Sequence, residues 1–211
     1  MRPVFTDGAD RHPIIAAAHE ALVAHLPPGA SRVLEAGCGE GRVLDRMRGG
    51  RFLVGLDLHP EAARWRDVAD APSFVRADVG RMPFADGAFD AAVCLFVYPP
   101  RGSRLAVLRE LARVVRSGGT LLFCMQNVFN PMLLARHLMW IRHVEKPIVS
   151  PRAVETRLSA SGYRIRHRLA ITVPPYVRTR GLAGRAARLY YRCVASRPWG
   201  APILGLVAER R

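Results

Sequence analysis

Apolar positions along this chain fall into two alternating patterns, short unbroken runs and longer stretches with a helical repeat. Over residues 13–26, Ile14, Ile15, Ala18, Leu22, Val23 and Leu26 recur on one helical face. Pro13 suits a first helical turn, and Pro27-Pro28-Gly29 is a stop. SRVLEAG then reads as a short buried strand and GRVLDRMRG as a helix ending near Gly49-Gly50. FLVGLDL is a second strand, followed by a predicted helix from about Pro60. PSFVRADV is a third strand, FDAAVCLFV a fourth, SRLAVLRELARVVRSGG an amphipathic helix with a glycine stop, and TLLFCMQ a fifth strand. An insertion follows, NPMLLARHLMWIRHVEKPIV, then the helix SPRAVETRLSASG and the strand YRIRHRLAITV. A second insertion leads to a last strand, PILGLVAE.

Strands that are continuous apolar runs, each separated from the next by a helix, predict an α/β fold with a mostly parallel sheet covered on both faces. A chain of 211 residues suits one such domain. Its expected parts are an N-terminal helix over 1–30, a core over 31–124, and insertions with the last strands over 125–211. No apolar run reaches about 18 residues, so no membrane-spanning helix is expected. The opening stretch MRPVFTDGADRHP has no apolar signal core, which predicts a cytoplasmic protein. Cys38, Cys94, Cys124 and Cys193 form no CxxC pair, and the sequence offers no metal constellation. Cys94 and Cys124 sit in apolar runs and read as small buried hydrophobes, which suits a reducing compartment.

The chemistry lies in the first strand–turn–helix unit. Its turn, Glu35-Ala36-Gly37-Cys38-Gly39-Glu40-Gly41, lets the backbone bend tightly and approach a ligand without Cβ clashes. The spacing is GxGxG led by an acid, not the GxGxxG of dinucleotide sites, and no Gly-Lys-Ser/Thr follows to make a P-loop. Asp57 ends the second strand, where a carboxylate can accept from both hydroxyls of a ribose. Asp78 ends the third strand beside Val79, where it can accept from an adenine amino group.

In this order and register the residues resemble the class I S-adenosylmethionine-dependent methyltransferases. VLEAGCGEG is similar to the family's first motif, GLDL to its second, VRADVGRMPFADGAFDAAV to its third, and LRELARVVRSGGTLLF to its helix–turn–fifth-strand stretch. Ser117 stands where a proline is usual. The resemblance covers residues 31–124 specifically and 125–173 loosely, where it points to quinone- and lipid-type members. It implies a Rossmann-like seven-stranded sheet, with insertions after strand five and before the last strand. It also implies S-adenosylmethionine as cofactor and S-adenosylhomocysteine as product. By position, Glu35, Gly37, Cys38, Gly39 and Gly41 would line the methionine end, Asp57 would hold the ribose, and Leu58, Asp78 and Val79 would meet the adenine. Cys94 and Leu95 would approach the sulfonium.

The acceptor side is less marked. Amide and base N-methyltransferases often carry Asp/Asn-Pro-Pro-aromatic after strand four, whereas this chain reads Val97-Tyr98-Pro99-Pro100, which discounts adenine-type N-methylation and favours O- or C-methylation. Candidate substrate residues are Tyr98, Asn127, His137, Trp140 and His143, with His143 as the candidate base because imidazole titrates near neutrality.

Charge adds a partner question. Residues 1–110 hold 14 Arg and 14 Asp or Glu, so the whole excess of +15 lies in residues 111–211. Within residues 182–194, Leu182, Ala186, Leu189, Tyr190, Cys193 and Val194 share one helical face and Arg185, Arg188 and Arg192 the other. Arg164, Arg166 and Arg168 would alternate onto one face of their strand. The expected partners are a small-molecule acceptor, hydrophobic or anionic, and an anionic membrane surface that would place the protein peripherally at the inner membrane. The alternatives are an RNA methyltransferase using the C-terminal arginines, which no appended RNA-binding module supports, and a non-catalytic cofactor-binding subunit. Oligomeric state is not set by the sequence.

Overall fold

The unbroken apolar runs become the middle of a sheet because their side chains are buried on both faces. In the computed structural model the described residues are 13–97, 104–127, 151–171, 185, 189, 193, 197, 201 and 203–211. The order is α1 (Pro13–Val23), β1 (Arg32–Ala36), α2 (Arg42–Met47), β2 (Phe52–Asp57), β3 (Ser73–Arg76), β4 (Phe89–Leu95), α3 (Arg104–Val114), β5 (Val115–Gln126), α4 (Pro151–Ala160), β6 (Tyr163–Ile171) and β7 (Ile203–Arg210). The seven strands lie in the order β3-β2-β1-β4-β5-β7-β6. β1, β2, β3, β4 and β5 run parallel, while β7 is antiparallel to both β5 and β6. This is the expected Rossmann-like arrangement. Two cores cover the sheet. Leu34, Leu56, Leu111, Leu158, Tyr163 and Leu206 belong to the layer under α3 and α4. Leu22, Leu44, Met47, Val93, Leu122 and Ile203 belong to the layer under α1 and α2. Tyr163 is fully buried, and its hydroxyl donates to the Leu111 carbonyl at 2.9 Å, so the ring's area is buried without leaving an unpaired polar atom.

The strand order reverses beside β1, whose neighbours are β2 on one edge and β4 on the other. At such a reversal the connections of neighbouring strands pass to opposite faces of the sheet, which makes the carboxyl edge beside β1 the expected place for a ligand crevice. The amino edge is closed by one carboxylate. Asp90 on β4 accepts from the Ser31 and Arg32 amides at 3.0 and 2.9 Å, from the Ser31 hydroxyl at 2.9 Å and from Arg116 Nε at 2.8 Å. The Arg116 bond first, and then the Arg32 and Ser31 donors, hold its carboxyl well below the usual range.

Four expectations are corrected. The helix from about Pro60 shrinks to a 3-10 turn, Ala62–Trp65. Its sequence offers one large buried side chain, Trp65, instead of an apolar stripe, and Asp70 adopts φ 53 before Pro72. β3 ends at Arg76, so Asp78 lies beyond it. β5 starts at Val115, inside the predicted helix. Val115 pairs with Phe89, and the register then shifts so that Ala91 meets Thr120, with Gly118 at φ 73 in the bulge. Finally, the three β6 arginines do not form a row. The register shifts between Ile165 and His167, Arg166 pairs with Glu209 at 2.6 Å, and Arg168 grips Glu155 through two bonds of 2.8 and 2.7 Å.

Asp90→Ala should lower unfolding free energy by about 2 kcal/mol, since a set of charge-assisted bonds is lost at once. The folded-state pKa of Asp90 is depressed, so its stabilisation is full above about pH 4 and is lost as pH falls below that. Urea unfolding should show a gap between wild type and variant that holds through neutral pH and narrows below about pH 4. Equal stability at neutral pH would remove Asp90 from this role.

Candidate functional site

The crevice is lined by the turn after β1. Its glycines have positive φ, 80° at Gly37 and 48° at Gly39. They owe this to different neighbours. A β-carbon at Gly37 would overlap the Val97 Cγ2 methyl, so that glycine is required by the β4 exit folding over it. A β-carbon at Gly39 would meet nothing within 4 Å, so this is the open glycine of the turn. The turn is strapped to β2 by the Gly37 and Cys38 amides, which donate to the Leu56 carbonyl at 2.7 and 3.1 Å.

Asp57, at the end of β2, faces this open position. Its Oδ2 accepts from the Gly39 amide at 3.0 Å and its Oδ1 from the His59 amide at 3.0 Å. Each oxygen keeps a further lone pair. Leu58 is 54% exposed, an apolar face left open beside the carboxylate. Glu35 lies deeper and is buried, with Oε2 accepting from the Leu44 amide at 3.2 Å. Burial raises its carboxyl well above the ordinary range, the Leu44 bond opposes this, and the charge of Asp57 adds to it. Asp78 turns back on itself, Oδ1 accepting from the Gly80 amide at 2.7 Å. It is held near Asp57 by the bond from the Ala77 amide to the Asp57 carbonyl at 3.0 Å.

Several predicted residues have side chains buried in the core. Cys38 packs into the core beside Gly55, and burial, with the charges of Glu35 and Asp57, pushes its thiol up. Cys94 and Leu95 lie inside β4 with side chains in opposite core layers, and burial pushes the Cys94 thiol up to about 12. Val79 is likewise a core residue. Gly41 is pressed by Trp65 and Phe74. Asn127, expected to meet substrate, is fully buried and donates Nδ2–H to the Ala201 carbonyl at 2.9 Å. It joins the β5 exit to the chain before β7. Tyr98, His137, Trp140 and His143 lie outside the described residues.

Two residues at the β4 exit escaped the sequence reading. Phe96 takes φ 57, an uncommon conformation for a residue with a side chain, and so turns the chain toward Gly37. His19, on α1, is buried with its ring 6.3 Å from that of Phe96. The available signal was a histidine four residues from both Ile15 and Val23 on the apolar side of the helix. Among the described residues no three His, Cys, Asp or Glu side chains are grouped to hold a metal ion.

A glycine with open space at its β-position, two acids with acceptor capacity, an exposed leucine and a deep carboxyl suit a ligand that bears hydroxyls, a flat ring and positive charge.

Comparison with known proteins agrees. A family model described as a methyltransferase domain matches residues 34–123. The malonyl-[acyl-carrier protein] O-methyltransferase of Erwinia pyrifoliae is 39% identical over 109 residues, which span 49% of this chain and 41% of that one. The ubiquinone biosynthesis O-methyltransferase of Xanthomonas axonopodis pv. citri is 25% identical over 195 residues, 85% of this chain and 81% of that one. Among solved structures, the complex of the Haloferax volcanii Trm112 methyltransferase activator with a methyltransferase aligns with TM-score 0.75 and 21% identity, over 97% of this chain and 94% of that one. The structural likeness supports the fold.

The two glycines should separate in a stability test. Gly37→Ala should cost about 3 kcal/mol, from left-handed strain plus overlap with Val97, and Gly39→Ala about 1 kcal/mol, from strain alone. Adding Val97→Ala to Gly37→Ala should recover part of the loss, measured as a double-mutant cycle in urea. Strict additivity would show that Val97 does not press on Gly37.

Proposed function

The chain belongs to the class I S-adenosylmethionine-dependent methyltransferases, and on that premise we propose that it transfers a methyl group from this cofactor to an oxygen atom of a small molecule. The observation that carries the reading is the uncrowded Gly39, whose amide donates to the Asp57 carboxylate at the point where the strand order reverses. Both matched relatives named above are O-methyltransferases, one of malonyl-[acyl-carrier protein] and one of ubiquinone biosynthesis, which supports oxygen as the acceptor atom.

The residues present fit the cofactor. Asp57, already oriented by two amides, would accept from ribose hydroxyls, and the exposed Leu58 would lie against the adenine. Asp78 uses Oδ1 on its own turn, which leaves Oδ2 for the adenine edge. Glu35 is a buried acid with a raised pKa, a group that gains from a cationic ligand nearby. When bound, the cofactor supplies a sulfonium methyl. An acceptor oxygen that has lost its proton to solvent would take that methyl, the C–O bond forming as the C–S bond breaks and the electron pair leaving with the thioether sulfur. The protein's part is to hold the acceptor in line at about 3–3.5 Å and to keep water out. The Phe96–Val97 exit, folded over Gly37 and backed by His19, is the described wall nearest that task.

Asp57→Ala should weaken S-adenosylhomocysteine binding at least tenfold, about 1.4 kcal/mol, by calorimetry, and an unchanged constant would remove Asp57 from the ribose. Methyl-tritiated cofactor and a cell extract split into lipid, RNA, protein and small polar pools test the acceptor. Label in the lipid or small-molecule pool supports the proposal. Label in RNA replaces it with the RNA reading, and no label despite cofactor binding favours a non-catalytic subunit.

We further propose that the acceptor is hydrophobic or anionic and is met at an anionic membrane surface. Support comes from Leu189, on the apolar face of the C-terminal pattern, which is 63% exposed instead of packed on the core. Arg185, four residues earlier and also in helical backbone, is exposed as well. Phosphatidylglycerol vesicles at low salt should pellet the wild type, and Leu189→Asp should stay in the supernatant. A wild type that does not pellet ends this reading.

A further inference from the structure

Trp65 belongs to none of the roles given so far, yet its side chain both packs on the glycine-rich turn and bonds to it. It is 3% exposed, and its Nε1–H donates to the Glu40 carbonyl at 3.0 Å. That carbonyl lies between Gly39 and Gly41. A β-carbon at Gly41 would come within 2.9 Å of Trp65 Nε1 and 3.2 Å of the Phe74 ring, so the indole packs directly on the turn. The indole is held from behind. Its ring lies 6.0 Å from that of Phe74 on β3, and the Arg48 guanidinium stands 5.7 Å from its centroid. Arg48 is fixed in turn by Asp45 at 3.3 Å and by the Ala69 carbonyl at 2.8 Å. One residue chain therefore joins α2, β3 and the 66–69 segment to a single carbonyl of the turn.

A second bond ties the same two segments. The Glu61 amide donates to the Gly39 carbonyl at 2.9 Å, so the chain after β2 grips the turn at both Gly39 and Glu40. On the other side of Gly39, its amide donates to Asp57. The position of the open glycine relative to the ribose acceptor is thus set from three directions, and Trp65 supplies the one that comes from a side chain of the 3-10 turn. The 3-10 turn ends on Trp65, whose ring reaches back to the glycines.

We infer that Trp65 is a positioning residue for the cofactor, locking the glycine-rich turn through the Glu40 carbonyl and so fixing Gly39 against the Asp57 carboxylate. The inference rests on the cofactor reading above. It acts through backbone geometry, so it should appear in affinity without a matching change in the free protein's fold.

The test compares Trp65→Phe, which keeps an aromatic ring and removes the N–H, with Phe74→Leu, which loosens the same cluster and keeps the bond. Calorimetry with S-adenosylhomocysteine should show about tenfold weaker binding for Trp65→Phe and a change within about twofold for Phe74→Leu. The Trp65 indole N–H, assigned by its loss in Trp65→Phe, should exchange slowly with solvent in the ligand-free protein. Affinity of Trp65→Phe within twofold of wild type, an equal loss in Phe74→Leu, or a fast-exchanging indole would each overturn the inference while leaving the cofactor reading standing. A wild type that binds no S-adenosylhomocysteine would overturn both.

Discussion

β1 is flanked by strands on both edges and covered by apolar layers on both faces, and its four buried residues from Val33 to Ala36 leave it one direction in which to continue. Whatever follows Ala36 must emerge at the carboxyl edge of the sheet, between β2 and β4. The chain places its glycines there because the turn must change direction at once, with β2's Leu56 carbonyl, the Val97 side chain and Trp65 already crowding it. The shape of the glycine-rich turn is thus a by-product of packing around one strand. Gly39 is left open while Gly37 and Gly41 are filled by protein atoms. The turn can therefore be rigid and still present one exposed stretch of backbone.

Charge in this molecule is divided by depth. At the amino edge Asp90 is bonded to two amides, a hydroxyl and an arginine, and stays ionised far into acid. At the carboxyl edge Glu35 is buried with one amide donor and the charge of Asp57 nearby, and ionises with difficulty. The first arrangement is complete without a ligand. In the second the carboxyl is left with burial and a like charge against it, so its ionised form would gain from a neighbouring positive charge.

The basic excess of residues 111–211 is in part a structural resource. Arg113 binds Glu110 and Asp86, as well as the Phe84 and Met82 carbonyls, and so pins the segment before β4 onto α3. Arg116 serves Asp90, and Arg210 donates to the Arg113 and Val115 carbonyls. Arg113 and Arg116 thus take acids from residues 86–110, while Arg166 and Arg168 take Glu209 and Glu155 from the second half itself. Pairing leaves the net charge unchanged but decides which arginines carry it without a carboxylate beside them.

Local pattern alone determined the parallel core, the acid-led glycine turn and Asp57 at the end of its strand, because each depends on residues near in sequence: an apolar run, a turn geometry, a strand end. The structure decided the rest. Whether Gly37 or Gly39 faces the ligand depends on Val97, about 60 residues away in sequence. The contact of Trp65 with the Glu40 carbonyl joins residues 25 apart, and the early start of β5 depends on Phe89 pairing with Val115. The burial of Asn127 depends on Ala201, and the break in the β6 arginine row on Glu209 and Glu155. Periodicity reports which face of an element is apolar. It cannot report which distant atom will meet that face, and in this protein those meetings separate a side chain that packs the core from one that lines the site.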